Sequence, residues 1–297
     1  MTSRSATTRL LATLAFTLIS LSAVKAAVND PMPTDFVALP EGRSTLATYW
    51  YDRHQDGTWV KGQRRGDLTG DSQVAALRYS RYYQFSGIKI APVAVLGFTE
   101  ADVSGTLPAG IHRHRSGFGD IRLGATAWMI DDPAHRHYLG INVTTLWPSG
   151  RYENRELVNP GENRRRQVFM LGWIKGLGDS WTVEATPELA WYSDTDRSYP
   201  GNVQLKQSRT ASFTSYLRYR FNPTLEGFVG YQANEGGETT LNGIAQNNPI
   251  HGRRHFVGGN WTVDADNRIN LRYGADDSVY SGLKTTQELT ARWLRLF

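Results

Sequence analysis

Two tight histidine groups, His112-Arg113-His114 and His135-Arg136-His137, are the first residues whose spacing suggests chemistry. On an extended chain, positions i and i+2 share a face, so each pair could offer two imidazoles to a transition metal. No nearby carboxylate pair completes either set, so both groups read as exposed basic residues and no metal centre is expected. Nucleophilic chemistry fares no better. The chain has no cysteine, no Gly-x-Ser-x-Gly elbow and no phosphate loop. Gly117-Phe118-Gly119 lacks the third glycine of a dinucleotide turn, and Asp264-Ala265-Asp266-Asn267 lacks the Gly and Glu of a calcium loop. Neither a catalytic set nor a cofactor is expected. What does recur is Arg and Glu alternating with apolar residues: Arg122, Glu184, Glu188, Arg218, Arg220, Arg272, Glu288 and Arg292. Charges of both signs on one face can pair across an enclosed space or border a water path, so these eight are candidate pore-lining residues.

Such residues need strands to hold them. From Arg43 onward the period is two, as in Ile121-Arg122-Leu123-Gly124-Ala125-Thr126-Ala127-Trp128-Met129 and Phe213-Thr214-Ser215-Tyr216-Leu217-Arg218-Tyr219-Arg220-Phe221. Helical spacing is sustained nowhere after the first segment, so the chain reads as all-β. About twelve runs are predicted, near 44–52, 73–85, 88–98, 120–131, 137–147, 166–176, 181–192, 209–221, 224–232, 253–264, 267–274 and 285–297. The runs at 44–52 and 166–176 are apolar on both faces, which leaves their phase open. Brief connectors such as Ser86-Gly87, 131–136 and 176–180 alternate with long polar ones at 53–72, 99–119, 148–165, 193–208 and 233–252. A soluble sandwich shares the strand period but has no reason to gather every long loop at one end. A transmembrane antiparallel up-and-down β-barrel of about 12 strands does, with short periplasmic turns and long external loops. Lipid then covers the apolar face.

The ends of the sequence fit that reading. Residues 1–26 carry Arg4 and Arg9 before an apolar run, Leu10 to Leu21, and a small-residue site before Ala27, as a secretory signal peptide does. Its removal leaves 30 basic residues against 28 acidic ones, which withdraws support from nucleic acid as a partner. Residues 27–42 hold three prolines and no period, so they read as a linker or as a segment resting in the barrel mouth, ahead of a barrel over 43–297. The last strand ends Trp293-Leu294-Arg295-Leu296-Phe297. A terminal Phe after alternating apolar residues resembles the signal read by the barrel assembly machinery, and Arg295 departs from that pattern.

Residues 117–133 (GFGDIRLGATAWMIDDP), 138–150 (YLGINVTTLWPSG), 159–164 (NPGENR) and 172–176 (GWIKG) resemble the bacterial outer-membrane β-barrel transporter family named for a meta-pathway of phenol degradation. The resemblance implies a location in the outer membrane and passage of small, aromatic or otherwise hydrophobic compounds. It implies no catalytic residues. Outer-membrane lipid, lipopolysaccharide and a small-molecule solute are the expected partners.

Two other functions stay open on the residues alone. An outer-membrane lipid hydrolase needs a nucleophile beside a lipid-facing histidine, and His255 has the right phase with no partner visible in sequence. A structural or adhesive barrel would close its lumen with paired Arg and Glu or with residues 27–42. For a channel, the arginine excess at Arg122, Arg218, Arg220, Arg272 and Arg292 implies modest anion preference, and Pro92 and Pro187 mark strand positions where the wall could loosen.

Overall fold

The computed structural model describes residues 30–107 and 109–297, so the expected leader over 1–26 lies outside the described residues. Twelve strands form the wall: β1 (Ser44–Val60), β2 (Gln63–Arg81), β3 (Ile88–Ser104), β4 (Ile121–Asp132), β5 (His137–Trp147), β6 (Arg166–Leu177), β7 (Trp181–Tyr192), β8 (Thr210–Arg220), β9 (Leu225–Gly236), β10 (Ile250–Thr262), β11 (Asn267–Val279) and β12 (Gly282–Leu296). Each pairs antiparallel with the next. The last returns to the first, from Thr45↔Leu296 to Trp59↔Gly282, so the sheet closes without an edge. Short strands Tyr83–Phe85 and His114–Phe118 add to β3. Four more, Thr195–Ser198, Val203–Gln207, Thr239–Leu241 and Ile244–Ala245, make a small sheet from the loops after β7 and β9.

Burial inverts the arrangement of a soluble domain. The outward rung Leu217, Val229, Val257, Tyr273 and Leu289 crosses five neighbouring strands, and every member is exposed. Seven of the nine tryptophans, Trp50, Trp147, Trp173, Trp181, Trp191, Trp261 and Trp293, also face outward. Most stand near strand ends, where aromatic girdles meet the membrane interfaces. The open phases are settled by the same pattern: Ala47, Tyr49, Tyr51 and Arg53 of β1 point inward, as do Arg166, Val168, Met170, Gly172 and Ile174 of β6.

The loop expectation needs correction at two places. Residues 53–72 are not a loop but the upper half of the β1–β2 hairpin, closed by Lys61-Gly62 with φ of 51° and 74°. Positive φ at both central residues matches the right-handed twist of the flanking strands. The β11–β12 hairpin likewise extends to residues 280–281, so two of the six external connections are tight. These strands outrun the roughly 9–11 residues that a tilted membrane strand needs. Above the lipid layer both of their faces meet polar surroundings, so the apolar alternation disappears while the ladder continues. At the opposite end, Asp264 in the turn after β10 accepts hydrogen bonds from the Asn267 side chain and the Asp266 amide, which hold its carboxyl below the usual range.

The lipid-facing assignment has a direct test. Val229→Arg, placed mid-strand on the outer face, is expected to lower the unfolding free energy in lipid vesicles by about 2–4 kcal/mol. Denaturant titration of vesicle-folded protein measures it, and a change within about 0.5 kcal/mol would contradict an outward Val229 at bilayer depth.

Candidate functional site

The lumen is occupied. Residues 30–40 run inside the wall before the chain turns into β1 at Ser44, and Met32, Phe36 and Ala38 are buried there. The segment is irregular, so its polar backbone needs partners from the wall. Tyr216 donates to the Pro31 carbonyl at 2.9 Å, Arg292 to the Pro33 carbonyl at 2.9 Å, and Trp128 Nε1 to the Phe36 carbonyl at 2.9 Å. The Thr34 amide donates to Glu184 at 3.1 Å. These partners sit on β8, β12, β4 and β7, so the segment is held from around the circumference. Phe36 enters a notch formed by Gly140 and Gly172, which face each other across β5 and β6. A Cβ at Gly172 would overlap the ring, and one at Gly140 would lie 3.0 Å from it. Below the notch, Ala38 joins Tyr82, Trp128, Tyr138 and Ile174 in an apolar cluster at the periplasmic end.

All eight charged residues expected at the pore take the inward phase. Six of them join three ion networks. Glu288, fully buried, accepts from Arg53 at 2.7 Å and Arg272 at 3.1 Å and lies 3.4 Å from Arg254. Arg254 also reaches Asp276 at 2.9 Å and Asp30 of the segment at 3.3 Å. Glu184 lies 2.6 Å from Arg218, which bridges to Glu226, itself 3.5 Å from Arg220. Asp35 of the segment pairs with Arg292 at 2.6 Å and Arg78 at 3.2 Å. Arg122 stands apart, with Nε and Nη2 buried and without a hydrogen-bond partner. Glu188 forms part of the cavity wall described below.

Sequence reasoning missed Arg53, Arg254 and Arg166 and the two carboxylates of the segment. Arg53 fell in the supposed loop, and Arg166 on a strand of open phase. Glycine inside a strand marks close approach of another group, and that signal was present at Gly140 and Gly172.

Above the segment lies a cavity of about 280 Å³, lined by Arg53, Arg164, Arg166, Glu188, Tyr192 and Leu283 among others. Two smaller cavities, of about 50 and 40 Å³, both touch Arg122. Toward the external end the loop at 148–165 folds inward, placing Leu157 and Val158 against Leu68, Val103 and Leu283. Asp120 pins that loop by accepting from the Gly150 amide at 2.8 Å and the Glu162 amide at 2.7 Å. The lumen is thus filled at the periplasmic side, narrowed at the external side and hollow between.

The histidine expectation also changes. Pairing of His114–Phe118 with β3 brings Glu100 and Asp102 to His114, so carboxylates distant in sequence complete a three-residue group. All three are exposed on the outside of the barrel, away from the lumen. His255, on the outer face, lies 2.6 Å from Asp277. Among the described residues no hydroxyl is hydrogen-bonded to that histidine.

Three comparisons bear on this architecture. A family model described as "Putative MetA-pathway of phenol degradation" matches residues 48–296. An outer membrane channel from Pseudomonas putida F1 superposes with a TM-score of 0.85 at 27% identity, over 90% of this chain and 100% of that one. The β domain of the Bordetella autotransporter BrkA gives 0.55 at 11% identity, over 86% and 100% of the two chains. The transport unit of the autotransporter AIDA-I from Escherichia coli gives 0.54 at 6% identity, over 95% and 98%. At those identities the two autotransporters speak to the fold alone. No curated protein sequence matches.

The central network makes a measurable demand. Glu288→Gln leaves Arg53, Arg254 and Arg272 with one carboxylate fewer in a buried setting. Breaking a buried pair by removing one partner costs about 3–5 kcal/mol, and a loss of that size is expected in denaturant unfolding. A loss below about 1 kcal/mol would mean that the three guanidiniums are solvated rather than held by Glu288.

Proposed function

The chain belongs to this phenol-degradation family of outer-membrane barrels, and from that premise we propose that it is a gated channel for small, aromatic or otherwise hydrophobic compounds, with residues 30–40 as the gate. The observation that carries the reading is the fit of the segment to the wall. Its ring at Phe36 has a notch without side chains, and its carbonyls and carboxylates have dedicated donors. Yet it is tied to the wall by hydrogen bonds, ion pairs and packing, all of which can be broken without breaking the barrel's ladders.

In this reading Arg122, Glu184, Glu188, Arg218, Arg220, Arg272, Glu288 and Arg292 line the passage once the segment withdraws. Withdrawal removes Asp30 and Asp35 from the lumen, and with them the partners of Arg78 and Arg292 and one partner of Arg254. The open lumen then holds two negative charges fewer, which favours organic anions over cations. The last strand, ending at Phe297, is proposed as the element that the assembly machinery reads. A channel explains the interior better than a lipid hydrolase does. The elaborated surfaces face the lumen, whereas His255 and Asp277 face outward without a nucleophile bonded to them.

The gate can be locked without ambiguity because the chain has no cysteine of its own. Phe36→Cys with Gly172→Cys places two thiols side by side, since a Cβ at Gly172 would overlap the Phe36 ring. Vesicles containing the oxidised double variant are expected to take up a small aromatic probe that lipid excludes, such as benzenesulfonate, at least tenfold more slowly than the same vesicles after reduction. Equal rates before and after reduction would remove residues 30–40 from the gating role.

A further inference from the structure

Most inward arginines have all or all but one of their buried donors matched, but the guanidiniums at one rung keep two nitrogens each without a partner. The register places Val95, Arg122, Leu146, Arg166 and Tyr192 side by side on β3 to β7. All five take the inward phase, so cationic and apolar side chains alternate around this arc of the wall. Arg122 and Arg166 are each 8% exposed, and each keeps Nε and Nη2 buried without a hydrogen-bond partner. Arg164, at the same end of β6, keeps Nη1 in that state. Single nitrogens are unmatched on other lumenal arginines, but among the described residues only Arg122 and Arg166 hold two. Glu162 lies 3.6 Å from Arg164 and 3.3 Å from Arg166, and Glu188 lines the same cavity, so two carboxylates stand beside these cations.

Buried donors of this kind favour an acceptor, and a guanidinium edge fits a carboxylate with two parallel hydrogen bonds. Arg164 and Arg166 both line the 280 Å³ cavity, which also presents Tyr192, Leu205 and Leu283. The Arg164 guanidinium lies 4.5 Å above the Tyr192 ring, which orients it against an apolar surface. The volume is just under the roughly 300–1,000 Å³ of sites for drug-sized ligands, and so suits a single ring or a short chain. We propose that this cavity binds the carboxylate of a small aromatic or aliphatic acid between Arg164 and Arg166, with its apolar body against Tyr192, Leu205 and Leu283. Arg122 offers the same two donors to the cavities beside the N-terminal segment, as a second anion site on the way inward. The inference rests on the channel reading for its purpose, and it narrows the solute class to organic acids.

The test compares benzoate with benzyl alcohol, its neutral counterpart, by calorimetric titration of the purified barrel in detergent. Benzoate is expected to bind about ten- to hundredfold more tightly, the gain of hydrogen bonds to a charged group. Arg166→Gln should erase the preference, and Glu162→Gln, which removes the competing carboxylate nearest the two arginines, should strengthen benzoate binding. Equal affinity for both compounds would overturn the proposal, as would an unchanged preference in Arg166→Gln that still shows the heat-modifiable gel mobility of a folded barrel. If Arg166→Gln does not fold, Glu162→Gln decides, and no gain for benzoate overturns the site. Vesicle uptake of the same compounds reads the channel separately. Benzoate uptake above that of protein-free vesicles without any anion preference in binding sinks the acid site and spares the channel, whereas preference in binding with no uptake above that reference sinks the channel.

Discussion

Lipid on the outside dictates nearly everything within. A bilayer offers no hydrogen bonds to a peptide group, so a sheet that crosses it must satisfy every amide internally and close on itself. Closure by pairing of β12 with β1 leaves the outer phase of each strand to hydrocarbon and the inner phase to whatever the chain can supply. In a cylinder of twelve strands the inner phase is polar, so apolar packing alone cannot fill it. Arg, Glu, Thr and Asn fill it, and their charges must be balanced by neighbours, which is why Glu288 sits among three arginines.

The segment over residues 30–40 follows from the same constraint. Arg78 and Arg292 take their carboxylate, and Arg254 one of its three, from outside the wall. Asp30 and Asp35 arrive on a strand-free peptide, so part of the wall's charge is matched by something that is not part of it. Exposed apolar bands, interior ion networks and a removable filler are therefore linked consequences of one closed sheet.

Much of this was legible in the residues. The period of two, joined to tryptophans on one phase, gave the strands and their lipid face, and the same parity turned Arg122, Glu184, Arg218, Arg272, Glu288 and Arg292 inward. The pattern failed where its cause was missing. Above the bilayer, Asp52, His54 and Asp56 face water while Arg53, Gln55 and Thr58 face the lumen, so both sides of β1 are polar and the strand reads as a loop. Residues 30–40 carry no period at all, since a peptide lodged in a lumen takes its conformation from partners far away in sequence. Carboxylates brought to His114 by strand pairing, and the acidic partner of His255, were hidden for the same reason.

The attachment of the segment to the first strand bears on how the molecule comes together. Its contacts reach β2, β4, β7, β8 and β12, nearly the full girth. Once the seam between β1 and β12 has zipped, a ring such as Phe36 must reach its glycine notch through the open bottom alone. Before zipping, the nascent sheet lies open like a scroll, and the tethered peptide can settle on it from the side. A last strand that closes after that step folds over an object already in place, and the peptide would then act as a mandrel for the final ladder.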